Sequence, residues 1–364
     1  MTRVNTTRAA KANPAPSGPS AVTTASAESR SPMPVVVVAL WSVCYLVLGL
    51  VWTFGGSVAY PFDAGDGAGD TLLDPLPVSA GGGVLAALAL AAGLLALTIR
   101  GRRPGRVAAV AAVAAGICLA VVIPDVRILM TVGYLLVMTA GAVVGQVDIA
   151  MVTTMVTWPS INLLIMMSAG VALTVLGARR WLGSPAWQPT VSGALRVGRI
   201  ATAIAVAVPF GYAVTRFGWL FGIPVGISDE FLAVITEIAP IGAGLAAFGL
   251  LGAVLTVGLV RPWGEIWPRW VPLLRGRTIP ARLPAFAALA VAMPITSAGL
   301  MYVRKKIRGE DMGPAGASDQ LGAWLPEMLW PLWGAALAVA AIAYLVRRRL
   351  TTPGERPGEP VRPE

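Results

Sequence analysis

The sequence predicts an all-α fold, a polytopic bundle of transmembrane helices, from three observations. Hydrophobic residues fill 56% of the 364 positions and charged residues only 13%, about half the charged share usual in soluble domains. Mean hydropathy is +0.73. The apolar residues come in long blocks rather than periodic stripes, and about 20 of them cross a hydrocarbon core at 1.5 Å of helix rise each. This composition argues against a soluble enzyme or a nucleic-acid-binding domain.

Residues 1–32 are rich in Ala, Pro, Ser and Thr without a hydrophobic cluster, and read as a disordered, mildly basic tail. Apolar blocks follow at 33–56, 83–99, 107–123, 128–145, 160–177, 198–215, 236–260, 284–302 and 329–346, and 350–364 is a second polar tail. The first block is long enough to stay in the membrane and lacks a persuasive small-residue cleavage site, so an anchored span is preferred to a cleaved signal peptide. The net charge of +10 sits mainly at block ends, where a basic excess sets orientation. Asp63, Asp66, Asp70 and Asp74 in the loop 57–82 place it outside. RGRRPGR at 100–106, Arg179–Arg180, the Arg261–Arg282 loop and Arg347–Arg349 are placed inside. Both termini are then cytoplasmic in the cell membrane, which requires an even number of crossings. Nine blocks cannot satisfy that.

An internal repeat points to the surplus block. Tyr45 and Trp52 lead into Phe54–Gly55, and Tyr212 and Trp219 lead into Phe221–Gly222. Arg100–Gly101–Arg102 is matched by Arg275–Gly276–Arg277, and Trp158–Pro159 by Trp330–Pro331, at nearly constant offsets of 167, 175 and 172 residues. The expectation is two parallel four-helix repeats, 33–180 and 198–349. The stretch 128–157 is then an extra re-entrant or hairpin segment, giving eight or ten crossings. Arg304, Lys305, Lys306 and Arg308 would lie outside, against the orientation rule, which makes 303–328 the weakest part of this topology.

The strings YAVTRFGWLFGIPVGIS from Tyr212, RPWGEIWPRWVPLLRGR from Arg261, PDVRILMTVGY from Pro124 and WPSINLL from Trp158 resemble those of a family of uncharacterised multi-pass membrane proteins of high-GC actinobacteria. The resemblance covers most of 35–349. It implies family membership but transfers no activity.

Chemistry-bearing residues are few. There is no His, which removes histidine metal sites and His base catalysis. Cys44 and Cys118 sit inside apolar blocks and suggest neither a disulfide framework nor a thiolate cluster. Glu237, near the start of the 236–260 block with Asp229 and Glu230 just before it, is a site candidate because a carboxylate in a span is costly. An interfacial acid is the preferred reading. Asp125 and Arg127 flank the Pro124 break and read first as an ion pair at the outer boundary. Asp148 lies in the extra segment beside a Thr-rich run, suiting either a permeation site or a solvated loop. Arg216 is expected to bind an anionic headgroup or to pair with Asp229 or Glu230. Trp263, Trp267 and Trp270 are interfacial anchors in a loop rich in Arg. DAGDGAGD at 63–70 lacks EF-hand spacing and reads as a flexible exterior loop. No P-loop, Rossmann, HExxH, CxxC or GxSxG signature is present.

The function expected is a non-catalytic membrane component, a scaffold or sensor. The alternatives are a small-solute transporter or permease and, least favoured, an intramembrane enzyme on a lipid-linked substrate. The partners expected are membrane lipids, with a protein partner or homo-oligomer left open. Neither cofactor, metal nor nucleic acid is called for.

Overall fold

A computed structural model describes residues 32–62, 70–101, 105–143, 156–182, 188–269, 271 and 273–351. The helices are α1 (Met33–Thr53), α2 (Val78–Arg100), α3 (Arg106–Ile117), α4 (Arg127–Val143), α5 (Trp158–Leu182) and α6 (Val191–Leu220). They continue with α7 (Asp229–Ile235), α8 (Ala239–Val257), α9 (Arg282–Arg308), α10 (Leu321–Met328) and α11 (Trp330–Thr351). A π-turn over Cys118–Val122 extends α3. The only sheet-like pairing among the described residues is an isolated bridge, Ile266 with Thr278. The chain is an all-α, multi-pass membrane protein.

Seven helices are long and apolar enough to cross a membrane, and an eighth span is counted if the bent pair of α3 and α4 is one crossing. That pair turns by 59° at its break. Pro124 supplies the cause, since it lacks an amide donor and cannot continue the helical ladder, while Ile123 before it still keeps helical dihedrals. The 128–157 segment enters the described structure as α4, and its residues 144–155, with Asp148, lie outside the described part.

The apolar side chains form two large cores and a small third one of Trp219, Phe231, Ile235, Ala239 and Ala317. Val38, Trp41, Tyr45, Leu85, Leu119 and Leu163 represent the first, built by α1, α2, α3 and α5. Ala205, Tyr212, Ala246, Ile295, Trp330 and Tyr344 represent the second, built by α6, α8, α9 and α11. Large apolar residues such as Leu40, Leu97, Phe210 and Leu251 remain exposed, as helices facing lipid require. Small residues set the closest crossings. A Cβ on Gly49 would lie 2.7 Å from the Ala86 nitrogen and the Gly82 oxygen, so α1 and α2 touch backbone to backbone.

The repeated landmarks have repeated geometry. The Trp52 indole donates to the Val58 carbonyl at 2.9 Å, and the Trp219 indole donates to Val225 at 3.0 Å. Gly55 and Gly222, each three residues after its Trp, both have positive φ. Arg180 donates to the Ile99 carbonyl at 2.8 Å, and Arg347 donates to Leu259 at 3.1 Å. The first of these bonds ties α5 to the end of α2, and the second ties α11 to the turn that ends α8.

Charge separates along the bundle. One end carries fourteen described arginines, from Arg100 to Arg349, with Glu265 as the one described acid. There the Arg261–Arg282 loop forms a short hairpin, closed by Trp267 N–H to Arg277 O (2.9 Å) and Ile279 N–H to Glu265 O (2.8 Å). Arg347 anchors it through Glu265 at 2.6 Å, and Tyr344 through the Gly264 carbonyl at 3.0 Å. All the other described acids lie at the opposite end, and they define the candidate site.

Candidate functional site

The acidic end holds two buried ionic clusters. The first starts at the 123–126 break. Asp125, fully buried, accepts the Asp70 amide at 2.8 Å, the Arg127 amide at 2.9 Å and Arg127 Nε at 2.8 Å. Arg127 reaches on to Asp74 at 3.3 Å. Asp74 in turn is fixed by the Thr71 amide at 2.6 Å, while the Thr71 hydroxyl accepts the Leu73 and Asp74 amides. Short side chains bonding nearby backbone hold a turn of this kind together.

The other half contributes the end of α9. Arg304 donates to the carbonyls of Val122 (2.9 Å), Asp70 (3.0 Å) and Pro124 (3.3 Å). It therefore collects backbone acceptors around the interrupted helix. Lys305 lies 3.3 Å from Asp70, Arg308 also pairs with Asp70, and Arg308 meets Glu310 at 2.6 Å. In the basic run at 304–308, unwelcome on an outer side by the orientation rule, Lys305 and Arg308 meet Asp70 of the acidic loop, while Lys306 donates to the Ser318 carbonyl and lies over the Trp324 ring.

The second cluster lies between α6 and α10. Arg216 pairs with Glu327, and both are buried. Its guanidinium lies over the rings of Tyr212 and Trp219, 4.5 and 4.1 Å from their centroids. It also donates to the carbonyls of Gly322 (3.3 Å) and Ala323 (3.4 Å). Arginine suits this slot because a planar, weakly hydrated cation stacks on aromatic faces. A Cβ on Gly242 would lie 3.3 Å from the Arg216 Cδ, so a bare glycine on α8 makes room for the arm. α10 is held by Gly322 N–H to Gly226 O at 2.7 Å. Trp330 stacks edge-on against both Tyr212 and Tyr302.

The residues singled out from the sequence fall into separate places. Asp125 and Arg127 meet as a buried ion pair that also includes Asp74. Arg216 is paired with Glu327 and not with Asp229 or Glu230. Those two acids are exposed in the first turn of α7, where Ser228 caps the Phe231 amide at 3.1 Å. The Glu230 amide and the Ser228 hydroxyl hold the Glu230 carboxyl below its usual range. Glu237 is exposed in the turn between α7 and α8, because the helix begins only at Ala239 with Pro240 in its first turn. Trp263 is 42% exposed and packs on Gly258, and Trp267 is half-buried in the hairpin. Trp270 and Asp148 lie outside the described residues, as does most of 63–70.

Sequence reasoning missed Glu327 and the inward role of Arg304. A signal for Glu327 was present. It is an acid inside an apolar string, AWLPEMLWP, at the end of the bundle where an arginine in a span also needed a partner. Among the described residues no group of three or more Cys, Asp or Glu could hold a metal ion, and the two cysteines are free. Comparison of the chain with protein families, with curated proteins and with solved structures gives no match.

Proposed function

We propose that the chain is a non-catalytic scaffold of the cell membrane, built from two parallel four-span repeats, with both termini on the arginine-rich, cytoplasmic side. One observation carries the scaffold reading. Each buried carboxylate among the described residues, Asp74, Asp125 and Glu327, is bonded to an arginine. A coupling acid must exchange its ion or proton with water. These acids join structural elements instead. The matched indole and arginine bonds of the two halves support the repeat, and the fourteen-arginine end supports the orientation.

A permease is the second reading, favoured by Pro209 inside α6, Pro294 inside α9 and the bend after α3, which are places where helices can flex. Reconstitution separates the two. Proteoliposomes loaded with a pH dye and given a proton or sodium gradient are expected to hold it as long as protein-free vesicles do. A protein-dependent collapse that Asp125→Asn or Glu327→Gln abolishes would place the chain among transporters.

A further inference from the structure

A cavity of about 710 Å³ opens between α6 and the end of α8, at the arginine-rich end and away from both ionic clusters. Along α6 its lining runs from Arg199 through Thr202, Ala203, Val206 and Ala207 to Phe210. Steps of three and four residues keep these on one helix face. The eleven steps from Arg199 to Phe210 rise about 16 Å, roughly half of a ~30 Å hydrocarbon core. The groove is therefore as long as one leaflet is deep.

Its chemistry is graded. Arg199 and Arg261 stand at the mouth, both exposed, with no acid paired to either among the described residues. Trp263, two residues past Arg261, places that mouth at headgroup depth. Inside, the walls are apolar except for Thr202. Helical hydroxyls here normally bond the carbonyl one turn back, as Thr53, Thr98, Thr174 and Thr256 do. Thr202 lines the groove, and its hydroxyl oxygen, buried in the wall, has no such partner.

We propose that this groove binds an anionic phospholipid of the arginine-rich leaflet. Its phosphate lies between Arg199 and Arg261, and one acyl chain runs along Ala203, Val206 and Phe210. Two arginines match a phosphate by charge-assisted bonds. The missing bulk at Ala203 and Ala207 leaves space for the chain.

Native mass spectrometry of the full chain, titrated with dioleoyl-phosphatidylglycerol or dioleoyl-phosphatidylcholine, tests this. The wild type is expected to retain the anionic lipid preferentially. Arg199→Gln with Arg261→Gln should weaken that binding about tenfold or more, while Arg275→Gln with Arg277→Gln, equal in charge but outside the groove, should change it less than about twofold. Ala203→Leu with Ala207→Leu should also lose the lipid with both arginines intact. If the filled variant fails to fold, the arginine variants, altered only at exposed positions, still decide. Equal losses in the two arginine pairs would overturn the proposal in favour of diffuse attraction, as would a wild type that does not discriminate. Displacement by inorganic phosphate at concentrations equal to the lipid would overturn the part assigned to the acyl chain.

Discussion

Gly49 and Arg216 occupy matching places, four residues after a buried tyrosine and three before a buried tryptophan. The two halves fill those places in opposite ways. In the first, α1 and α2 close on each other until backbone meets backbone, and Gly82 lies opposite Gly49. In the second, Gly242 on α8 faces a guanidinium that lies over two rings and is tied to Glu327. The α1–α2 contact is thus held by dispersion at short range, and the contact of α6 with α8 and α10 by a desolvated charge. The first solution needs only small residues on the neighbouring helix, Gly82 and Ala86. The second needs a charge partner, an acid 111 residues away. Around it the second half also carries the groove, the short α7 and α10, and Pro209 and Pro294.

The largest test of this contrast removes one member of the charged pair. Glu327→Ala leaves Arg216 buried and alone, and is expected to cost about 3–5 kcal/mol, read as a lower thermal midpoint in detergent. Arg216→Met with Glu327→Leu should return that midpoint to the wild-type value or above, because apolar side chains of similar volume replace buried pairs without loss. A double variant as unstable as the single would mean that the pair is a net stabiliser and not a matched demand.

Next comes Gly49→Ala. Its new methyl meets backbone on the opposite helix, and overpacking of this kind costs about 1–3 kcal/mol. Gly242→Ala meets only the flexible Arg216 arm at 3.3 Å, and is expected to cost less than about 1 kcal/mol. Reversal of that order in matched thermal melts would break the comparison. The smallest effects belong to Asp229→Asn and Glu237→Gln, exposed near α7, each expected within about 0.5 kcal/mol of wild type. A large loss at Glu237 would show that the turn before α8 has a partner the bundle does not account for.

Span positions were legible because twenty consecutive apolar residues have few structural options, and the bend after α3 was legible through Pro124. The Asp125–Arg127 pair was legible too, since two residues at a break are local. The other contacts were not, because they join distant segments. Nothing near Arg216 in the chain marks Glu327 as its partner, and acids closer in sequence, Asp229 and Glu230, made more obvious choices. Arg304 read as a misplaced charge because its acceptors are backbone carbonyls, which no side-chain pattern reveals. Thr202 looks like any helical threonine until its hydroxyl is followed and found without a carbonyl.

The most direct test of the scaffold account is the distance between the halves, measured at both ends in lipid nanodiscs by double electron–electron resonance. With Cys44 and Cys118 replaced, one label pair at Val58 and Ile223 reports the acidic end, and another at Val107 and Leu283 reports the arginine-rich end; all four positions are exposed. Ionic clusters that fix the bundle predict one narrow distance per pair, unchanged between pH 5 and pH 8 and with sodium present or absent. Two populations at each end, one end widening as the other narrows, would contradict it.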